Sequence, residues 1–280
     1  MTVRTRTFRP FTGIPTSTLT RVLVLPRTAW REVFQSKLVT GAFTAAFLGP
    51  IGALVVVWLM HNLSVLQRTP FAGGMPFAID GRFFGFLLLG QSYFAFVLTL
   101  FVGPSLVSPD LVNGSLPLYL SRPLLRWQYV TGKILVLALL LSAITWAPLL
   151  LVFLLEASLS GGSWLLSNAA IAGSILVGFL SLAAMAVSAW VRHRAVARGV
   201  LFALVVIPAG FGRALNSLLG VEWGRLLDLG AAWARVLEGL FGISVRAGLP
   251  LGGAWASLLL VSALSLLLLH RKLRAFEVVR

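Results

Sequence analysis

Residues 83–107 read FFGFLLLGQSYFAFVLTLFVGPSLV, and this run decides the fold because it holds no Asp, Glu, Lys or Arg. An α-helix spans a hydrocarbon core about 30 Å thick with roughly 20 apolar residues. The run is apolar on all sides, whereas a membrane β-strand alternates apolar and polar residues over about 10 positions. Residues 83–107 therefore predict a transmembrane helix.

Five further runs have a similar length and composition. They are residues 38–60, 134–155, 169–190, 199–219 and 251–269. The chain of 280 residues is 58% hydrophobic and only 11% charged, and its mean hydropathy is +0.94. Such values lie far outside the range of soluble proteins. The sequence predicts an all-α polytopic membrane protein with six transmembrane helices. Pro208 interrupts the fifth run, where a re-entrant turn is the alternative to a continuous helix.

The basic residues predict the orientation of these helices. If the six helices alternate in direction, 17 of the 23 Lys and Arg residues lie on the side of the two chain ends. Lys and Arg accumulate on the cytoplasmic side of membrane proteins. We expect a multi-pass protein of the cytoplasmic (inner) membrane with both ends in the cytoplasm. This bias and attraction to anionic lipid headgroups explain the net charge of +15, so membrane lipids are expected partners and nucleic acid is not.

The predicted membrane domain covers residues 38–269, between cytoplasmic tails at 1–37 and 270–280. In the first tail, Trp30, Val33 and Phe34 share one helical face after Pro26, which predicts an interfacial helix; a plain basic flank is the alternative. Residues 221–241 have apolar side chains at spacings of three and four, which predicts an outer amphipathic helix. It is either a lid for a lipid-like substrate or a structural helix resting on the membrane.

A polar segment, residues 108–133, separates the second and third apolar runs and begins SPDLVNGSL. Ser108 is expected to cap a short helix that starts at Pro109 and carries Asp110 in its first turn. Pro123 is expected to start the third transmembrane helix. Because both flanking helices join this segment directly, we interpret it as a short cytoplasmic coupling helix between helices 2 and 3.

The segment resembles one region of the permease subunits of ABC-2 type ATP-binding-cassette transporters. That family shows an acidic residue, Gly-Thr-Leu, Leu-Leu-Ser-Arg-Pro-Ile-Ser-Arg, Tyr and Gly-Lys at matching spacing. Ser115 departs from the family's Thr, Pro117 lies within the segment, and Leu124-Leu125 replace Ile-Ser. Residues 271–279 are also similar to the family's Arg-x-x-Arg-Ala-x-Glu-Val. The residues implied to couple the permease to an ATPase subunit are Asp110, Gly114, Ser115, Leu116, Leu120, Ser121, Arg122, Pro123, Arg126, Gly132 and Lys133.

The resemblance implies an exporter subunit that pairs with a second permease protomer, as a homodimer or heterodimer, and with a cytoplasmic ABC ATPase. Residues 191–198 would form a second, smaller contact with that ATPase. The sequence contains no Gly-x-x-x-x-Gly-Lys-Ser/Thr phosphate loop, so we expect no enzyme activity and no cofactor in this chain. ATP and Mg²⁺ are expected in the partner subunit. His61, His193 and His270 lie far apart without companions at metal-ligand spacing, so no metal site is predicted.

Gln91, Tyr93 and Thr145 are polar residues within the predicted bilayer. They could line a substrate path between two protomers or bond to a neighbouring helix. The runs carry no Asp, Glu, Lys or Arg at their centres, which disfavours an ion-coupled carrier. Two other classes stay open: a non-transporting membrane scaffold or assembly subunit of a larger complex, and an ATP-independent secondary carrier or channel.

Overall fold

The computed structural model describes residue 26 and residues 29–67, 78–114, 126–160, 165–220, 222–243 and 248–274. The described residues form helices and contain no strand. Six helical spans are long and apolar enough to cross a membrane, so the prediction of an all-helical, multi-pass membrane protein is confirmed at this level. These spans are Lys37–His61, Gly81–Asp110, Gln128–Ser160, Ser167–Trp190, Arg194–Leu219 and Leu251–Lys272.

Successive crossings run in opposite directions through the bundle. Their bounds are α1 Lys37–Ala46, α2 Leu48–His61, α3 Leu63–Leu66, α4 Gly81–Val112, α5 Arg126–Ile144, α6 Trp146–Ser160, α7 Leu165–Trp190, α8 Arg194–Leu219, a 3₁₀ helix Trp223–Leu227, α9 Leu229–Leu240 and α10 Leu251–Arg274. We call the end where α4 stops, α5 starts, α7 stops and α8 starts the basic end. Arg192, Arg194 and Arg198 lie there.

Two crossings are each divided into two helices. The first breaks at Phe47 and the third at Thr145, and a proline follows three residues later in both, at Pro50 and Pro148. Proline has no N–H to donate to the carbonyl four residues earlier, and it fits best in the first turn of a helix. The second half of each crossing therefore starts as a new helix.

Gln91 on α4 compensates for the first of these breaks. Pro50 cannot donate to the carbonyl of Ala46, and the Gln91 side-chain Nε2 donates to that oxygen at 2.8 Å. Gln91 is only 2% exposed. An unpaired carbonyl in a hydrocarbon environment costs several kcal/mol, so this bond fixes α1 against α4.

The end of α4 differs from the sequence-based prediction. A helix start at Pro109 with Ser108 as its cap is wrong, because α4 continues through both residues to Val112. Pro104 and Pro109 are both tolerated inside this helix. The fifth crossing is also continuous, since α8 passes through Pro208 without a re-entrant turn.

Residues 222–241 form two elements instead of one helix. The carboxylate of Asp228 accepts a hydrogen bond from the backbone N–H of Ala231 at 3.0 Å, and this cap separates the 3₁₀ helix from α9. Trp233, Val236 and Leu237 are buried. The Trp233 Nε1 donates to the Ser92 hydroxyl of α4 at 2.8 Å. The apolar face of α9 therefore packs inside the bundle, while Trp223 is 55% exposed.

Near the start of the described chain, residues 29–33 are helical and Val33 is buried. The rings of Trp30 and Phe34 lie 5.7 Å apart between centroids, and both side chains pack against the core. The shared apolar face is therefore present, and the position of this segment at a membrane interface stays a prediction.

Candidate functional site

Serine side chains join α4 to α7 at the basic end. The Ser188 hydroxyl of α7 accepts hydrogen bonds from the backbone N–H groups of Val107 at 3.3 Å and Ser108 at 3.1 Å. It donates to the Pro104 carbonyl at 3.3 Å. Proline in a helix interior bends the helix and opens its hydrogen-bond ladder, which lets another side chain insert. Ser188 fills that opening in α4.

Ser108 continues this connection to the turn between α7 and α8. Its hydroxyl donates to the Val191 carbonyl at 2.8 Å, and the residue is fully buried. Residues 191–193 are all that separates the two helices, because α8 already starts at Arg194. The end of α4 is thereby bonded to the loop predicted as the second ATPase contact.

Ser188→Ala is expected to destabilise the protein by about 1–2 kcal/mol, because it removes the hydroxyl that accepts hydrogen bonds from two buried backbone N–H groups. Thermal unfolding in a mild detergent would measure the change. Ser174→Ala is the matched control on the same helix, because Ser174 is exposed. Equal stability of the two variants would contradict the role assigned to Ser188.

A second connection joins α4 to α5 across the segment 115–125, which lies outside the described residues. The Asp110 carboxylate is 3.0 Å from the Lys133 Nζ and accepts a hydrogen bond from the Tyr129 hydroxyl at 2.6 Å. The side chains of Lys133 and Asp110 are only 12% and 14% exposed. Tyr129 and Lys133 are four residues apart on one face of α5, so both reach the same carboxylate. Lys133 also lies 5.6 Å from the Tyr129 ring centroid.

Gly114 ends α4 in a conformation that favours glycine. The Asn113 N–H bonds the Pro109 carbonyl at 2.9 Å, and Gly114 has a φ of +62°. Residues with a Cβ avoid this left-handed region, whereas glycine adopts it freely at the end of a helix. The chain therefore turns away from the α4 axis immediately before the segment 115–125.

The first turn of α8 also contacts α4. The Arg198 guanidinium lies 5.2 Å from the ring centroid of Phe101, which is the geometry of a cation–π contact. The last three turns of α4 are thus held by α5, α7 and α8 together. We call this group of contacts, made by Asp110, Tyr129, Lys133, Ser108, Ser188 and Arg198, the basic-end junction.

The structure brings together only part of the predicted coupling set. Asp110 and Lys133 are paired, Gly114 ends α4, Gly132 is buried in α5, and Arg126 is the first residue of α5. The other predicted coupling residues lie outside the described residues, and nothing is stated of their structure. They are Ser115, Leu116, Leu120, Ser121, Arg122 and Pro123.

The three polar residues considered for a substrate path are not brought together. Gln91 donates a hydrogen bond to α1 as described above, so it bonds to a neighbouring helix, which was the second of the two predicted alternatives. Thr145 is buried and donates to the Leu141 carbonyl at 2.8 Å. Tyr93 is 68% exposed on the surface of α4.

Sequence reasoning missed the bonds of Ser108 and Ser188. A serine within an apolar helix usually bonds a carbonyl of its own helix. Ser108 and Ser188 are 80 residues apart, and no local sequence pattern predicts a bond over that separation. The Asp110–Lys133 pair did carry a signal, because opposite charges flank one short segment. Among the residues that the structure describes, no group of three His, Asp or Glu side chains could hold a metal ion.

Comparison with protein-family models and with curated proteins finds no match to this chain.

Proposed function

We propose that this chain is the membrane-spanning permease subunit of an ABC-2 type transporter and that it works as an exporter. The observation that carries the proposal is the resemblance of residues 110–133 to the coupling region of that family. The paired Asp110 and Lys133, which both belong to the resembling pattern, add support because they tie the two helices that flank the segment.

The basic-end junction explains how such a segment would act on the membrane domain. Residues 115–125 connect the end of α4 to the start of α5, and the Asp110–Lys133 pair holds these two helices together beside the connection. Ser108 and Ser188 extend the link to α7 and to the following turn. A force applied to the segment would therefore move α4, α5 and α7 as one unit.

The energy for this motion comes from a separate chain in our proposal. Two cytoplasmic ATPase subunits bind ATP and Mg²⁺ and close on each other, which pushes the coupling segments of two permease protomers. In response, the helices would alternate between two packed arrangements, in which the substrate reaches one side of the membrane or the other. The basic end then faces the cytoplasm, in agreement with the bias of Lys and Arg.

Purification of the tagged chain from its native membrane into lipid nanodiscs tests the proposal. We expect an ATP-hydrolysing partner with a phosphate loop to co-elute, identified by mass spectrometry and by ATPase activity. Arg122→Glu is expected to remove this partner while membrane insertion persists. Gly114→Pro is expected to do the same, because proline cannot adopt the φ of +62°.

Arg225→Glu is the matched control for charge reversal, since Arg225 is exposed at the opposite end of the bundle. It should leave the partner bound. Co-elution with a large complex that lacks an ATPase would favour the scaffold class. Elution of the chain alone, with transport that needs no ATPase, would favour the carrier or channel class.

A further inference from the structure

An apolar cavity of about 120 Å³, open to the surface on one side, lies between α4, α7, α8, α9 and α10. Its walls include Ser92, Leu180, Trp233 and Leu258. Ser92 offers no spare hydrogen there, since its hydroxyl donates to the Leu88 carbonyl and accepts from Trp233. Its lining is almost entirely apolar, and pockets with such a lining bind apolar groups. The cavity therefore suits a hydrocarbon group.

A groove on the outside of the bundle shares one lining residue with this cavity. It has a volume of about 430 Å³ and lies between α8 and α10, which make almost no direct contact with each other. Pro208 and Leu260 line it, and Leu260 is 68% exposed. Leu229, at the start of α9, lines both the groove and the cavity.

The depth of this site restricts what can enter it. Tyr93 lines the cavity and lies near the middle of the uncharged stretch 83–107, and so near the middle of the bilayer in a spanning helix. The open side of the cavity at this depth faces lipid chains instead of water. A strongly polar solute would lose its hydration on this route, whereas an aliphatic chain would not.

Tyr93 adds a requirement for one polar group. Its side chain is 68% exposed, and its hydroxyl has no hydrogen-bond partner among the described residues. A phenol hydroxyl without a partner is costly in hydrocarbon. The occupant that satisfies both features is an amphiphile, with an aliphatic chain in the cavity and an oxygen atom that accepts from Tyr93.

We propose that the cavity binds the aliphatic chain of a lipid-like amphiphile, which enters sideways from the bilayer at the open side of the cavity, beside Tyr93. That this amphiphile is the exported cargo rests on the proposed function; that the chain binds in the cavity does not. Tyr93 is the polar contact at this opening, and the α8–α10 groove adjoins the site at Leu229.

The test uses a phosphatidylcholine with a diazirine in the middle of one acyl chain, in nanodiscs that contain the full chain and its co-purified ATPase. After irradiation, mass spectrometry maps the labelled peptides. We expect label on the cavity residues Leu180 and Leu258. Val205→Trp places a large side chain in the cavity wall and should lower this label at least fivefold. Tyr93→Phe should lower it about three- to tenfold, as one hydrogen bond allows.

The neighbouring substitution Val206→Trp is the matched control, because Val206 is 45% exposed on the outside of α8. It should leave the label unchanged. Leu258→Trp, compared with Leu259→Trp on the exposed side of α10, repeats the comparison from the facing helix. Thermal unfolding of each variant separates loss of binding from loss of folding.

The outcomes distinguish the two proposals. Cavity label that is lost in Val205→Trp and falls on addition of ATP supports both the binding site and the export of its occupant. Cavity label that is lost in Val205→Trp in a chain without an ATPase partner supports the binding site and overturns the proposed function. Label equal in Val205→Trp and Val206→Trp, or crosslinks from Tyr93 to a second copy of the chain, would overturn the binding site.

Discussion

Lys133→Glu is expected to spread apart the ends of α4 and α5 and, in the proposed complex with an ATPase subunit, to lower the ATPase activity at least tenfold. The substitution places a second carboxylate beside Asp110 at a position where the native ion pair is 3.0 Å long and largely buried. Loss of a charged hydrogen bond costs about 1.5–3 kcal/mol, and repulsion between two carboxylates adds to it. The ends of α4 and α5 would then no longer be held together.

The separation of the helix ends can be measured without the ATPase. The chain has no cysteine, so spin labels attach only at introduced sites. Val112→Cys and Thr131→Cys, both at exposed positions, report the distance between α4 and α5. A narrow distance distribution is expected for the native pair and a broad one for Lys133→Glu.

The exchanged pair Asp110→Lys with Lys133→Glu is the decisive control. If the ion pair itself holds the helices, the exchange restores the narrow distribution and much of the ATPase activity, as a double-mutant cycle would show. Arg271→Glu changes the net charge equally at an exposed site of the same end and should have no effect. Failure of Lys133→Glu to broaden the distribution would refute the holding role of the pair.

Gly103→Leu is expected to prevent α4 and α7 from packing and to remove most of the folded protein. These two helices have the most extensive contact of any described pair, and a Cβ added at Gly103 would lie 2.6 Å from the Cβ of Ala184. Small residues permit close approach of membrane helices, and overpacking costs about 1–3 kcal/mol or more. Fluorescence-detected gel filtration after heating would measure the loss.

Gly90→Leu on the same helix is the control, because nothing lies within 4 Å of a Cβ at Gly90. A finer test adds one methyl group at position 103 and removes one at position 184 on the facing helix. Gly103→Ala should lower the unfolding temperature, and Ala184→Gly in addition should recover part of it. A Gly103→Ala variant as stable as the native protein would show that the contact is looser than the structure indicates.

Hydrophobicity was sufficient to predict the six crossings, because each helix satisfies its own backbone hydrogen bonds and needs only length and apolar side chains to span a bilayer. It failed where helices depend on their neighbours. Ser108 has the chemistry of a helix cap, yet α4 continues through it because Ser188 and Val191 of other segments satisfy its polar groups. The residues 221–241 have helical periodicity throughout, and the Asp228 cap nevertheless divides them.

The candidate site shows the same division. The charges of Asp110 and Lys133 and the glycine at 114 can be read from the sequence, because charge and backbone freedom belong to single residues. The sequence by itself determined the helical class, the number of crossings and the polar segment between helices 2 and 3. Only the tertiary structure decided that Ser188 fills the opening in α4, that Gln91 donates to the Ala46 carbonyl of α1, and that Leu229 lines both a groove and a cavity. The physical reason is that these features arise from contacts between residues tens of positions apart, and local patterns of hydrophobicity and charge carry no record of such contacts.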